Sequence, residues 1–153
     1  MTDASARFAR LPEGVISGGS STPYRSYDHA GRAFCWEPAP AEGCARFAFD
    51  IEAKDCAGGD NVRAAFGLDR ETFLKCWTAT EVAAKLLDRP IHLFIKETGL
   101  FKPTPAWRPL RSLRIVRPRA ATDRDAPSPP ENIWIRSVEL ADHFAAVGFR
   151  TRG

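Results

Sequence analysis

Apolar and polar side chains alternate between residues 44 and 53. The large apolar residues Phe47, Phe49 and Ile51 are separated by small or acidic residues. This two-residue period is typical of a strand with one buried face. The pattern therefore predicts a strand in which the acidic residues share the opposite face.

A helical pattern follows over residues 69–88. Asp69 is a residue type that caps helices, and Glu71 lies in the first turn, where the helix dipole favours a carboxylate. The helix must end before Pro90, because proline disfavours helical geometry in the residue that precedes it. The apolar positions recur at roughly helical spacing: Phe73, Cys76, Trp77, Val82, Ala83, Ala84 and Leu87.

The rest of the chain predicts strands joined by loops. Strands are expected over residues 91–95, 112–116 and 133–138, with a final strand or short helix over 141–150. Loops are expected over residues 54–61 and 123–132, where glycine, proline and polar residues collect. One long helix among several strands predicts an α+β fold, with the helix packed on a mostly antiparallel sheet.

Length and composition bound the class of protein. The 153 residues suit one domain, and an apolar content of 44% argues against disorder. The Gly-, Ser- and Pro-rich residues 1–23 predict a flexible lead-in before a domain over residues 24–153. No apolar run approaches the roughly 20 residues that a bilayer requires. We therefore expect a cytoplasmic protein without membrane association, whose four cysteines are reduced thiols; a disulfide between two of them is the alternative.

Three carboxylates lie where a purely structural role would be energetically unfavourable. Asp50 and Glu52 lie two apart on the predicted strand and so share a face, roughly 7 Å apart along it. This face could also be the solvated side of an edge strand. Glu81 continues the aromatic stripe of the helix, where a carboxylate is unfavourable unless it is paired or bound to metal. An exposed ion pair with Lys85, one turn later, is the alternative.

Together, these residue types suit a cation and a phosphate. Carboxylate oxygens without His or Cys favour Mg²⁺ or Mn²⁺, which complete their coordination with water and substrate phosphates. A lysine one helical turn from the third carboxylate would neutralise a transferred phosphate. The residues therefore predict a hard-metal site formed by Asp50, Glu52 and Glu81, with Lys85 beside it.

The motifs resemble those of the 4′-phosphopantetheinyl transferases, particularly the small holo-acyl-carrier-protein synthases. That family has a strand reading G-x-D-x-E and a later helix reading W-[ST]-x-K-E-x-x-x-K. Here the strand is AFDIE, residues 48–52, and the helix contains WTATEVAAK, residues 77–85. The family glycine is Ala48, and the lysine that usually precedes the helix glutamate is Thr80.

The resemblance implies a reaction and a set of roles. Phosphopantetheine would pass from coenzyme A to a carrier-protein serine, with release of 3′,5′-ADP. Asp50, Glu52 and Glu81 would hold Mg²⁺ against the coenzyme A pyrophosphate. Glu81 would take the serine proton, and Lys85 would stabilise the phosphate or protonate the leaving group.

Further residues would contact coenzyme A and the carrier protein. The resemblance implies that His29, Lys75 and Lys85 bind coenzyme A. The arginines that recur every three residues from Arg108 to Arg117 would dock an acidic acyl or peptidyl carrier protein or a coenzyme A phosphate, or would form a solvated loop. No nucleic-acid motif accompanies them, so no nucleic-acid partner is expected.

The length adds an expectation about assembly. The family cleft lies between two similar lobes, and this chain has room for one. We therefore expect a homo-oligomer, either a dimer or a trimer. Two alternatives are open: a non-catalytic coenzyme A or carrier-protein binding module on the same fold, and an unrelated α+β domain whose carboxylates are surface groups.

Overall fold

The computed structural model describes residues 15–19, 23–38, 43–118 and 129–152. The strands in chain order are β1 Val15–Gly18, β2 Arg25–Tyr27, β3 Ala33–Glu37, β4 Cys44–Ala53, β5 Leu100–Phe101, β6 Arg108–Pro109, β7 Ile115–Val116, β8 Ile133–Glu139 and β9 His143–Thr151. The helices are α1 Asp60–Phe66, α2 Arg70–Leu86 and α3 Ile91–Thr98, and a 3-10 turn covers Leu110–Ser112.

All the strand pairings in the described residues are antiparallel. The largest sheet has the order β4-β9-β8-β6, a second sheet has the order β1-β3-β2, and β5 pairs with β7. This confirms an α+β fold with a long helix and antiparallel sheets. No helix in the described part of the chain combines the length and the apolar character needed to cross a bilayer.

Helix α2 is the element that the sequence predicts best. The Asp69 side chain accepts a hydrogen bond from the Thr72 backbone N–H at 2.8 Å, so the predicted N-cap is confirmed. The helix packs closely against β9 at Gly148, where an added Cβ would lie 2.6 Å from a methyl carbon of Val82. Only glycine permits this approach, which brings the helix down onto the four-stranded sheet.

The two faces of β4 are both covered. Phe49 and Ile51 pack with Trp36 and Val147 in one core cluster, while Ala48 packs against α2 in another. Because side chains alternate along a strand, Asp50 shares the α2-facing side with Ala48. The interpretation of this side as a solvated face is therefore wrong for Asp50, which is 5% exposed.

One local prediction is wrong, and two are correct only in part. Residues 91–95 form helix α3 instead of a strand, because Ile91, Phe94 and Ile95 have helical spacing and bury one side. The loop predicted over 54–61 is confirmed for residues 54–59, but its last two residues begin α1, which left-handed glycines flank at both ends. The strand predicted over 112–116 shrinks to Ile115–Val116, because a 3-10 turn precedes it.

The predictions for the chain ends have mixed outcomes. The strand over 133–138 is confirmed, and the final segment is a strand, β9. The lead-in over residues 1–23 is not wholly loop, because β1 lies within it and pairs with β3. Residues 123–128 of the predicted loop lie outside the described residues.

Candidate functional site

Asp50 is a buried carboxylate with only one of its oxygens paired. Its Oδ1 accepts a hydrogen bond from the Ser26 hydroxyl at 3.1 Å and lies 3.4 Å from the Lys85 ammonium. Its Oδ2 is buried and has no hydrogen-bond partner among the described residues. A buried, unpaired carboxylate oxygen is unfavourable unless a further cation or donor reaches it.

The three predicted carboxylates act on one another electrostatically. Burial raises the pKa of Asp50 to about 8; attraction to Lys85 opposes this rise, and repulsion from Glu81 and Glu52 adds to it. Burial, with repulsion from Glu81, also raises the pKa of Glu52 to about 7. The pKa of Glu81 is raised by burial, against attraction to Lys85 and His92. Burial and mutual repulsion therefore oppose the simultaneous ionisation of all three carboxylates unless positive charge is added.

Lys85 connects the helix to the strand. Its ammonium donates a hydrogen bond to the Phe49 carbonyl oxygen at 2.8 Å and forms an ion pair with Asp50. The alternative interpretation made it the partner of Glu81, but its closest carboxylate is on the strand. An ammonium has three N–H donors, so this arrangement leaves one of them for a further acceptor.

A cleft opens beside Glu52. It has a volume of about 250 Å³ and lies between the turn after β2, the loop after β4 and the first half of α2. Aromatic side chains from Tyr27, Phe73 and Trp77 contribute to its walls. His29 also lines the cleft and lies 3.9 Å from Asp55, and its attraction to Glu52 partly opposes the rise in the Glu52 pKa.

The structure separates Lys75 from the other predicted site residues. Its ammonium pairs with Glu71 at 2.9 Å and lies 5.2 Å from the ring centre of Phe144. The groove that it lines includes Pro103 and Pro105 but none of the three predicted metal ligands. Glu52 and His29 therefore share one cleft, whereas Lys75 lies at another groove.

Asp28 and His143 form a buried pair that sequence reasoning missed. Asp28 Oδ2 lies 3.1 Å from His143 Nε2 and accepts a hydrogen bond from Arg32 Nε at 2.8 Å. Asp28 Oδ1 accepts the backbone N–H groups of Ala30 and Arg32. Burial opposes ionisation, but the hydrogen bonds from His143 and Arg32 outweigh it and lower the pKa of Asp28 to about 2.

The only sequence signal for this network was local. Aspartate is common at the start of turns that contain glycine, and Asp28 begins the turn between β2 and β3. Its pairing with His143 joins positions 115 residues apart, which no local pattern could reveal. Ser26, which donates to Asp50, was also not predicted as a site residue.

The surroundings of Thr80 explain why this helix lacks the lysine that the resembled motif has at the same position. Its hydroxyl donates to the Cys76 carbonyl oxygen at 2.7 Å and accepts the Phe101 backbone N–H at 2.9 Å. The side chain is fully buried. A lysine at position 80 would bury its charge among groups that are already paired, which is unfavourable. This helix therefore cannot carry at position 80 the lysine that the resembled motif has there.

The residues present fit Mg²⁺ as a partial coordination sphere. Across residues 15–19, 23–38, 43–118 and 129–152, no group of three or more His, Cys, Asp and Glu side chains could hold a metal ion by itself. Mg²⁺ usually takes one or two protein carboxylates and completes its shell with water and substrate phosphates. The unpaired Oδ2 of Asp50 suits one coordination position of such an ion. Glu81 and Glu52 lie close enough to repel the charge on Asp50.

No family model, curated protein or solved structure matches this chain. The case for a function therefore depends on the geometry around Asp50 and on the motif resemblance. Of the predicted residues, the structure connects Asp50, Glu52, Glu81 and Lys85 electrostatically. It places His29 at the adjoining cleft.

Proposed function

We propose that this protein is a Mg²⁺-dependent transferase that moves 4′-phosphopantetheine from coenzyme A to a carrier-protein serine. The observation that carries the proposal is the Asp50 carboxylate. One oxygen is held by Ser26 and Lys85, while the other is buried without a partner. Repulsion from Glu52 and Glu81 makes this cluster a place where positive charge is strongly favoured.

The chain's own residues supply binding and proton transfer. Glu81 accepts the proton of the serine hydroxyl as the general base. The serine oxygen then forms a bond to phosphorus as the bond to the leaving 3′,5′-ADP breaks. Lys85, which retains one N–H donor, stabilises the negative charge that shifts to the leaving group.

The cation and the cleft complete the arrangement. When bound, Mg²⁺ supplies Lewis-acid stabilisation of the pyrophosphate charge. Asp50 would bind it through the unpaired Oδ2, with Glu52 and Glu81 as nearby carboxylates and with water and substrate phosphate completing the shell. The aromatic cleft beside Glu52 would hold part of coenzyme A, with His29 against one of its phosphates.

A non-catalytic coenzyme A or carrier-protein binding module is the second candidate. The observation that favours it is Thr80, which is buried at the position where the family usually has a lysine. One phosphate-facing charge is therefore missing, and binding without transfer would need fewer charges. The retained set of Asp50, Glu52, Glu81 and Lys85 favours the enzyme.

The decisive experiment for the function is a transfer assay. The purified protein is incubated with coenzyme A, Mg²⁺ and a panel of apo acyl and peptidyl carrier proteins, and the carriers are weighed by mass spectrometry. We expect one phosphopantetheine mass on at least one carrier. Coenzyme A binding without any mass shift would instead support the binding module.

We also propose a cytoplasmic homo-oligomer with coenzyme A at the subunit interface. Light scattering tests this assembly, and a monomer would contradict it.

A further inference from the structure

A serine hydroxyl occupies the one buried position of strand β2. Of the residues Arg25, Ser26 and Tyr27, only Ser26 is buried, and its two neighbours on the strand are exposed. Buried strand positions usually carry apolar side chains, because a hydroxyl that loses its water without gaining a partner is unfavourable. The Ser26 hydroxyl has a partner, since it donates to Asp50 Oδ1 at 3.1 Å. This position therefore carries a group that serves Asp50 instead of one that extends the apolar core.

The contact between Ser26 and Asp50 joins the edges of two sheets. Strand β2 is the last strand in the order β1-β3-β2, and β4 is the first strand in the order β4-β9-β8-β6. Ser26 is paired with Phe34 in the backbone register of the smaller sheet, which fixes the position of its side chain. In the turn that follows, the Asp28 N–H donates to the Arg32 carbonyl oxygen at 3.0 Å. The hydroxyl thus reaches Asp50 from a backbone that is hydrogen-bonded on both sides of Ser26.

The orientation of the Asp50 carboxylate depends on its donors. Rotation about the last side-chain bond of an aspartate has no sharply preferred angle, so hydrogen bonds have to fix it. Both donors act on Oδ1, and the Ser26 hydroxyl is the nearer, at 3.1 Å against 3.4 Å for the Lys85 ammonium. Lys85 makes its shorter contact, 2.8 Å, with the Phe49 carbonyl oxygen. Ser26 is therefore the donor that best fixes the rotation of this carboxylate.

The hold on Oδ1 determines what Oδ2 can do. Oδ2 is buried and accepts no hydrogen bond from any residue that the structure describes. Without the Ser26 hydroxyl, the carboxylate could turn until both of its oxygens shared the Lys85 ammonium, which would occupy the lone pairs that a cation needs. With Ser26 in place, one oxygen serves the protein's own donors and the other is kept for a cation.

We propose that Ser26 is a positioning residue that holds Asp50 by Oδ1 and so presents Oδ2 to Mg²⁺, an assignment that rests on the proposed function. Ser26 acts through Asp50 and needs no contact with coenzyme A or with the carrier protein. Hydrogen-bond partners behind metal ligands orient those ligands, and their removal typically weakens metal binding about 10- to 100-fold. A serine that only satisfied a buried aspartate would instead affect stability and leave cation binding unchanged.

Metal binding to serine variants tests the assignment without any transfer reaction. Mn²⁺, a paramagnetic substitute for Mg²⁺, is titrated into the protein with coenzyme A present, and electron paramagnetic resonance reports the free Mn²⁺ against a protein-free blank. Ser26→Ala should weaken Mn²⁺ binding about tenfold or more. Ser26→Thr keeps the hydroxyl on a side chain that suits a strand and should restore most of the affinity. Ser17→Ala is the matched control and should bind Mn²⁺ like the wild type, because it removes from the same sheet a hydroxyl that lies 3.4 Å from the Cys35 sulfur.

The transfer assay gives a second readout. Ser26→Ala should need about tenfold more Mg²⁺ than the wild type for its half-maximal rate, and saturating Mg²⁺ should restore most of the maximal rate. A loss of rate that no Mg²⁺ concentration restores would contradict a role through the cation.

The outcomes separate this assignment from the proposed function. Mn²⁺ affinity that is unchanged in Ser26→Ala, or lowered equally in Ser17→Ala, would overturn the positioning role whether or not transfer occurs. A Ser26→Thr variant that melts like the wild type but binds Mn²⁺ weakly would also overturn it, because the hydroxyl would then not be the group that matters. Binding that only Ser26→Ala weakens would support the role even if no carrier protein gains mass. If the wild type binds no Mn²⁺ under these conditions, both proposals fail.

Discussion

Asp28 and Asp50 are both buried aspartates on neighbouring elements, yet their surroundings have opposite effects on them. Asp28 receives hydrogen bonds on both oxygens, and its pKa falls to about 2. Asp50 has one paired oxygen and one orphan, and burial beside Lys85, Glu81 and Glu52 raises its pKa to about 8. Both residues are aspartates with 5% exposure, so the difference comes from their surroundings: paired donors around Asp28, and burial beside two further carboxylates around Asp50.

This difference separates a structural carboxylate from a functional one. A fully paired carboxylate fixes the chain around it, as Asp28 does by joining the turn before β3 to β9. A carboxylate with an unused oxygen and like charges nearby destabilises the folded protein unless a ligand reaches it. We therefore assign Asp50 to the proposed site and Asp28 to the scaffold.

The largest expected effect is on catalysis. Glu81→Ala should lower the transfer rate about a thousand-fold, because it removes the proposed base. Its melting temperature should be retained or raised, since the substitution also removes a carboxylate whose charged form is disfavoured by burial. Glu71→Ala, on the exposed first turn of the same helix, is the control and should transfer normally. Normal transfer by the Glu81 variant would refute the assigned role.

The next effect is on stability. Asp28→Asn should lower the free energy of unfolding by about 3 kcal/mol, because it leaves His143 and Arg32 without their buried carboxylate. Chemical denaturation measures this loss. Asp55→Asn is the control and should have almost no effect, because Asp55 is exposed and its only described pairing is with His29 at 3.9 Å. If the two variants are equally stable, Asp28 is not part of the scaffold.

The pH dependence of unfolding should follow from the same carboxylate. An aspartate with a lowered pKa in the folded state stabilises the protein above its unfolded pKa of about 4. That contribution is lost as the pH falls towards about 2, where folded Asp28 also binds a proton. Denaturation at a series of acid pH values should therefore show the wild type and Asp28→Asn converging. A constant gap would contradict the low pKa.

The smallest effect distinguishes two buried threonines on α2. Thr80→Val should cost about 1–2 kcal/mol, because the buried Phe101 N–H loses its acceptor. Thr78→Val should cost less than about 0.5 kcal/mol, because the Thr78 hydroxyl only donates to the carbonyl oxygen of Lys75 within the same helix. Thermal denaturation compares the two, and an equal cost would mean that Thr80 does not anchor β5.

The sequence could predict those parts of the fold that depend on neighbouring residues. The alternation around Phe49 predicts β4, and Asp69 with Pro90 bounds α2 closely. The strand predicted at Ile91 is wrong because a short apolar run has no unambiguous period, and the i, i+3 and i+4 contacts of a helix decided it. Local patterns therefore predict most elements but not every short one.

The candidate site shows the same limit. Asp50 and Glu81 could be selected from sequence because each is unfavourable as structure where the pattern places it. The sequence could not show that Lys85 would pair with Asp50, or that Ser26 would donate to it, since both contacts depend on how β2, β4 and α2 pack. Lys75 lies two residues before the helix motif, and its position at another groove, paired with Glu71 and against Phe144, also depends on the packing.

Calorimetric titration of coenzyme A with and without Mg²⁺ tests the central claim most directly, namely that the unpaired oxygen of Asp50 is where cation and substrate meet. The wild type should bind coenzyme A more tightly with Mg²⁺, and Asp50→Asn should lose that gain while remaining folded. Asp28→Asn, assayed at a temperature where it is folded, should keep the gain. Affinities that are the same with and without Mg²⁺ in the wild type, or a full Mg²⁺ gain in Asp50→Asn, would contradict the account.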